Sequence, residues 1–397
     1  MPDQETIHGA VSTFGAKERG LPRSLARKVL TPSLAPHSVT PPSLTPHPDT
    51  LLDPSHPLET PIHDGRGTVA FISRAKRRRY WILVGVLSAL ALISAAGILA
   101  WGNPMEFGTA GFWRIAERRA IALLVILIVV VCQAMATVSF QTVTNNRIIT
   151  PSIMGFESLY VALQTSVIYF MGAAGLIAIE GPTKFALMVV LMVGFSLALY
   201  GWLLSGKFAN LQVMLLVGIV LGGGLGSIST FMQRLLTPSD FDILSAKLFG
   251  SVSNADPSYF PLAIPLCIAA AGALFIRSRR LNVVALGRDV TSNLGLDHRR
   301  EVMITLFFVS ILMAVSTALI GPMTFLGFLT ATLAYQFAGT HDHRYVFPVA
   351  VLTGFVILGG AYFVLKNIFY AEGAVSIVIE AVGGIAFLAV ILRKGRL

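Results

Sequence analysis

The sequence predicts an all-α integral membrane protein of about ten transmembrane helices behind a disordered N-terminal tail. Of its 397 residues, 54% are hydrophobic and 13% charged, where soluble proteins carry about 25% charged residues. The apolar residues fall in continuous runs such as VLSALALISAAGILAW and IALLVILIVVVCQAM. The repeated unit is roughly 20 residues, the length of a membrane-crossing helix, and not the ~10-residue alternating segment of a β-barrel. Residues 1–79 differ in kind, with 11 of the 20 prolines and no apolar run.

That first segment includes TPSLAPHSVTPPSLTPHPDT and five of the eight histidines, His8, His37, His47, His56 and His63. Such a composition buries too little apolar area to offset the entropy of ordering. It reads as a disordered, cytoplasmic, Pro/His-rich tail. No apolar segment follows Met1, so it is not a signal peptide, and a start near Val69 is a further reading. The histidines read as incidental composition; no metal or cofactor is expected.

The run RAKRRR (Arg74–Arg79) abuts the first apolar stretch. Spans are expected at 80–101, 117–143, 155–178, 183–206, 209–235, 258–276, 300–320, 322–340, 345–366 and 373–393. With the N-terminus inside, 17 Lys and Arg of residues 74–397 lie inside and seven outside. Excess basic residues mark cytoplasmic loops, so both termini are expected there. The net charge of +10 belongs to this bias and not to nucleic-acid binding. The eighth span opens on Gly, Pro and Thr, and the sixth holds two prolines. Cys132 and Cys267 sit inside spans and read as small core residues.

The longest inside connection is RSRRLNVVALGRDVTSNLGLDHRR (Arg277–Arg300). It can form one or two short amphipathic helices broken at Gly287 and Gly295. It reads either as a solvated basic loop or as a docking element for a cytoplasmic partner. Gly218, Gly222 and Gly226 recur every four residues in the fifth span and share a helix face. Such a face permits close helix approach, within the chain or between subunits. Glu380 lies several residues inside the last span. An intramembrane carboxylate is costly, so it is either functional or a hydrogen-bonded structural group. Glu157, at the start of the third span, reads as a structural partner of that helix's N-terminus. No catalytic constellation, HExxH or nucleotide-binding loop occurs, so an ATPase would have to be a separate chain.

The stretch QTVTNNRIITPSIMGFESLY (Gln141–Tyr160) resembles the segment between the second and third spans of the FecCD-type iron-siderophore and vitamin B12 importer permeases. Their pattern, Q-x-x-x-x-N-P-L-A-x-P-x-x-L-G, is matched at Gln141, Asn146, Pro151 and Gly155. Similar matches follow in order: RIAERR (Arg114–Arg119), LFGSVSN (Leu248–Asn254), ALGRDVTSNLGLDHRR, GPMTFLGFL (Gly321–Leu329) and EGAVSIVIEAVGGIAF. The likeness spans about residues 80–397. It departs where the family's N-P becomes Asn146-Arg147, and where its P-H-x-x-R becomes Ala331, Thr332 and Tyr335. These variants are most similar to the heteromeric iron-chelate subgroup.

The resemblance implies a type II ABC importer permease in the inner membrane of a bacterium, moving a ferric siderophore by alternating access. It implies a second permease subunit, two ATP-binding cassette subunits and an extracytoplasmic substrate-binding protein. It assigns coupling to the ATPase to helices over 281–296, with Leu281, Leu286, Gly287, Asp289, Leu294 and Gly295. It assigns binding-protein docking to Arg114, Arg118, Arg119 and Lys366. It places Gly218, Gly222, Gly226 and Glu380 at the pathway or subunit interface. The rival reading, an ion- or proton-coupled secondary carrier, requires paired intramembrane ionisable residues. A membrane-embedded enzyme would need clustered catalytic groups in the spans.

Overall fold

The computed structural model describes residues 70–71, 73–178, 181–205, 211–369 and 375–394. The tail expected to be disordered lies outside the described residues as far as residue 69. The elements in chain order are α1 (Arg74–Ala100), α2 (Ala110–Val143), α3 (Phe156–Ala178), α4 (Pro182–Ser205), α5 (Leu211–Arg234), α6 (Pro238–Leu248), α7 (Phe260–Ile276), α8 (Ser278–Val284), α9 (Arg288–Asn293), α10 (His298–Ile320), α11 (Leu326–Ala338), α12 (His343–Asn367) and α13 (Val375–Lys394). Helices stand at all ten expected spans. Seven described helices are long and apolar enough to cross a membrane, and α11 and α13 supply shorter apolar segments.

Several helices begin one or two turns before their apolar run, because a polar residue caps them there. Ser73 accepts from Lys76 N, Thr109 from Phe112 N, Asp297 from Arg300 N and Asp342 from Arg344 N. Short oxygen-bearing side chains at that position satisfy amides the helix cannot. The basic run Arg74–Arg79 is thus the first turns of α1, and Arg114–Arg119 lie within α2. The prolines of the sixth span are accommodated at the first turn of α7 and, as Pro265, inside it.

α2 and α10 form the centre, with 72% and 67% of their apolar windows buried within the chain, against 11% for α1 at the periphery. Small residues let the surrounding helices close on α2: a Cβ at Gly327 would strike Thr137, and one at Gly354 would meet Val130 at 2.8 Å. Gln133 Nε2 donates to Ser316 Oγ at 3.1 Å between α2 and α10. Such interhelical bonds contribute about 0.6 kcal/mol each in a membrane. The thiols of Cys132 and Cys267 lie 3.6 Å apart in this core, both free.

Three elements depart from simple crossing. The eighth span is α11 alone, 13 residues and about 20 Å long at 1.5 Å per residue. Gly321 (φ 92°) stops α10 and Pro322 follows, so residues 321–325 are not helical as 322–340 had suggested. α6 is a half-helix in what reads as an outer loop. Its Leu244 packs on Ile168 of α3, and Lys247 O lies 3.5 Å from Tyr160 Oη. It therefore runs down alongside α3 toward that helix's start. Finally, the segment after α2 does not stay at the surface. It turns through a 3-10 helix (Pro151–Met154) to Gly155, whose added Cβ would sit 3.2 Å from Gly222 Cα. Gly222 is half-way along the 24-residue α5, so α3 begins at mid-bundle. α3 and α5 then run in parallel, with Gln233 Nε2 bonded to Thr165 Oγ1 at 3.1 Å.

The basic residues gather at one end. Tyr80 Oη donates to Tyr345 O, Arg147 meets His341, and Asn282 Nδ2 donates to Asp342 Oδ1. These contacts join the starts of α1 and α12, the end of α2 and α8 into a single arginine-rich face. The end of α1, the start of α2 and the end of α12 make the opposite face, joined by Arg119 and by the Trp101–Phe363 ring contact.

Candidate functional sites

Half-helix ends converge at mid-bundle. Ser251 N donates to Ile320 O (3.0 Å) and Ser376 N to Gly250 O (3.1 Å), while a Cβ at Gly250 would strike the Pro322 carbonyl. The end of α6, the end of α10, the lead-in to α11 and the start of α13 therefore touch. Into the same region α3 brings Glu157, whose Oε2 accepts from Thr324 Oγ1 at 2.6 Å. Glu157 Oε1 is buried without a partner. Glu380, half-buried on α13, lies within electrostatic range of it. Sequence reading singled out Glu380 but took Glu157 as a helix-end partner. The structure bonds Glu157 to Thr324, at the opening of the expected eighth span, and leaves Glu380 half-buried on α13.

The glycine face of α5 is divided. Gly218 abuts Met154 O (3.3 Å) and Gly222 abuts Gly155 Cα (3.0 Å), whereas Gly226 faces open space. Gly218 and Gly222 are thus packed against the turn into α3 within the chain. The exposed apolar side chains of α5, such as Leu216, Val220 and Phe231, are left for lipid or a partner.

On the arginine-rich face, α8 and α9 form a two-helix element hinged at Gly287 (φ 92°) and ended at Gly295 (φ 80°). Thr291 Oγ1 ties the hinge, donating toward Gly287 O (2.6 Å) and Val283 O (3.1 Å). Leu286, Val290 and Leu294, spaced by four, are 59%, 42% and 59% exposed. Asp289 is exposed beside them. Leu281 is different: it is 1% exposed and belongs to the core, so it anchors the element and presents nothing outward. Arg277 and Arg280 pair with Glu301 at the start of α10. Asn282 Oδ1 accepts from His343 N (3.0 Å) and faces His343 Nδ1 (2.5 Å), while His343 Nε2 lies 2.6 Å from Thr142 Oγ1. This clasp binds α8 to α12 and to the end of α2.

The two departures from the family pattern touch each other. The Arg147 guanidinium stands 4.6 Å over the Tyr335 ring, a cation–π contact.

At the opposite face, Arg114 and Arg118 are exposed on α2, and Lys366 is exposed on α12 with Nζ 3.3 Å from Tyr362 Oη. Arg119 is not presented. It is 8% exposed and donates to Leu99 O (3.0 Å), Trp101 O (2.8 Å) and Gly102 O (3.2 Å). Its charge holds the C-terminal end of α1, where carbonyls lack helical partners. Among the described residues no group of three or more His, Cys, Asp or Glu could hold a metal ion.

Comparison with known proteins adds to this geometry. The profile of the FecCD transport family matches residues 82–393. The petrobactin import system permease protein FatC of Bacillus anthracis is 52% identical over 338 residues, 85% of this chain and 96% of that one. The petrobactin import system permease protein YclO of Bacillus subtilis is 37% identical over 66% of this chain and 84% of its own. A solved inward-facing structure of a metal-chelate type ABC transporter shares the fold. It has a TM-score of 0.67 and 22% identity, over 79% of this chain and 99% of that one.

Proposed function

The chain belongs to the FecCD transport family, and from that membership we propose that it is the permease subunit of an ATP-driven ferric-siderophore importer. The observation that carries this is the match to an import permease along nearly that relative's whole length. The substrate class is an iron chelate handed over by an extracytoplasmic binding protein. A second permease subunit completes the pathway, and two ATP-binding cassette subunits hydrolyse ATP outside this chain. The work of this chain is conformational: it alternates access and makes or breaks no bond of the substrate.

The arginine-rich face is then cytoplasmic, in the inner membrane of a bacterium, with both termini on that side. Leu286, Val290 and Leu294 give the ATPase an apolar footing, and Gly287, Asp289 and Gly295 set its shape. The salt bridges to Glu301 and the His343–Asn282 clasp carry a push on α8 into α10, α12 and α2, a rigid-body route between two states. Arg114 and Arg118, with Lys366, offer the binding protein a charged rim that steers docking. α13, with Glu380, and the lipid- or partner-facing side of α5 border the second subunit.

Two carboxylates in the spans, Glu157 and Glu380, are a feature a proton-coupled carrier would also need, so the test separates the two. Proteoliposomes containing this chain, its partner permease, the ATPase and the binding protein take up ferric siderophore when ATP is supplied, and collapse of the proton gradient leaves the rate unchanged. Uptake that follows the gradient without ATP overturns the proposal.

A further inference from the structure

Beside the His343–Asn282 clasp lies a polar cavity of about 380 Å³. Gln141, Asn145 and Arg147 wall it from the α2 end, Asn282 and Leu286 from the α8 side, Tyr335 from α11 and His341 from the turn between α11 and α12. Thr142, Asn282 and His343 of the clasp form one side of it, and no residue of the mid-bundle junction lines it.

Its polar groups are incompletely partnered. Gln141 is 2% exposed; its Nε2 donates to Arg147 O at 2.8 Å, which fixes the amide orientation and leaves Oε1 buried without a partner. Arg147 stacks on Tyr335 and donates from Nη2 to His341 Nδ1 at 3.3 Å. Neither partner neutralises it. The ion pairs found among the described residues join Arg277 and Arg280 to Glu301. Asp342, the carboxylate next in sequence to His341, accepts from Asn282 Nδ2 and Arg344 N and does not line the cavity. Because His341 accepts through Nδ1, its proton sits on Nε2 and remains a donor. The cavity thus presents one guanidinium, one imidazole N–H and one buried acceptor.

We propose that this cavity is a binding site for a small oxyanion that carries a hydroxyl of its own, such as hydrogen phosphate or a hydroxycarboxylate. The anionic oxygens take the Arg147 guanidinium and His341 Nε2–H, in charge-assisted bonds. The ligand's hydroxyl donates to Gln141 Oε1. An anion with no O–H places a lone pair against that oxygen and binds less well. The volume suits a small solute and is far below that of a lipid headgroup with its chains. The bound anion bridges the α2 end, α8 and the α11–α12 turn, the parts that the clasp also joins. The proposal stands apart from the import reading, since binding is measured on the purified chain whatever it transports.

Calorimetric titration of the full chain in detergent tests it, with inorganic phosphate, citrate and sulfate at constant ionic strength. Phosphate and citrate bind saturably, and sulfate binds about tenfold more weakly, the loss expected for one unmade bond to a buried acceptor. Arg147→Gln weakens phosphate by about tenfold or more. His341→Gln, which leaves the stacked arginine in place, weakens it less. Gln141→Leu brings phosphate and sulfate to equal affinity. Absence of saturable binding overturns the proposal, as does equal affinity of phosphate and sulfate in the unmodified chain, or Arg147→Gln binding like wild type. Binding that is lost on assembly with the ATPase also overturns it, giving the cavity to a side chain of that partner.

Discussion

Adjacent arginines with the same chemistry have different work. Arg118 and Arg119 are 100° apart around α2 by helical geometry: one is exposed, and the other is bonded to three carbonyls at the end of α1. Bonds to a charged donor are worth about 1.5–3 kcal/mol net. Arg119→Met should therefore lower unfolding free energy by about 2–4 kcal/mol, seen as a lower thermal midpoint in detergent. The Arg114→Glu/Arg118→Glu pair should leave that midpoint in place and weaken binding-protein affinity at low salt, with the difference shrinking as salt rises. The basic cluster was legible from the sequence, but which member faces inward depends on where α1 ends. The carboxylates teach the same lesson. Glu380 stood out because it interrupts an apolar run, while Glu157, beside a polar turn, did not. A double-mutant cycle of Glu157→Gln and Glu380→Gln should give a coupling energy of about 0.5 kcal/mol or more, measured by thermal unfolding. Additive effects would separate the two sites.

The helices themselves followed from apolar runs, and α1 and α2 start at Arg74 and Ala110, ahead of the expected 80 and 117, because their caps Ser73 and Thr109 lie outside the run. What no run announced was the half-helix. PSDFDILSAKL (α6) is too polar and short to register as a span, and α11 is cut to 13 residues by a glycine and a proline. The glycine repeat of α5 was legible as a packing face, but not which surface it packs. Gly222→Leu should prevent α3 from seating on α5 and abolish a monodisperse folded protein, because the added Cβ alone would stand 3.0 Å from Gly155 Cα. Gly226→Ala meets nothing within 4 Å, and should leave the elution profile and thermal midpoint unchanged. The α8–α9 element divides similarly. Leu281→Ala opens a core position at a cost of about 2–5 kcal/mol. Leu286→Ser with Leu294→Ser should spare stability and lower siderophore uptake relative to ATP hydrolysis. Equal losses of uptake and stability would put those leucines in a structural role.

At the scale of the molecule, the charge count sets an expected sidedness, and the fold brings basic residues of distant segments to a common face. Arg147 and Tyr335, 188 positions apart in sequence, are neighbours because the end of α2 and the end of α11 meet at the arginine-rich face. Sequence pattern alone gives no register for the chain's return over Pro151–Gly155, because a re-entrant coil has no period. The family profile begins at residue 82, beyond the Pro/His-rich tail. Deletion of residues 1–69 should leave reconstituted uptake intact, and a lost transport signal would give the tail a role in the machine.

The convergence of shortened helices has a consequence for hydration. Each free helix end exposes amides and carbonyls without helical partners, and hydrocarbon offers none. The meeting of α6, α10, α11 and α13 near the level where α3 begins gathers several such ends, together with the bare Glu157 Oε1. Some of these ends bond one another, as Ser251 N does Ile320 O and Ser376 N does Gly250 O, and the groups left over call for water at this depth. Amide deuteration should therefore invert the usual depth profile: residues 249–256 and 321–325 should exchange with bulk solvent within minutes, while Val125–Val138 of α2, at the dry centre, stay protonated for hours.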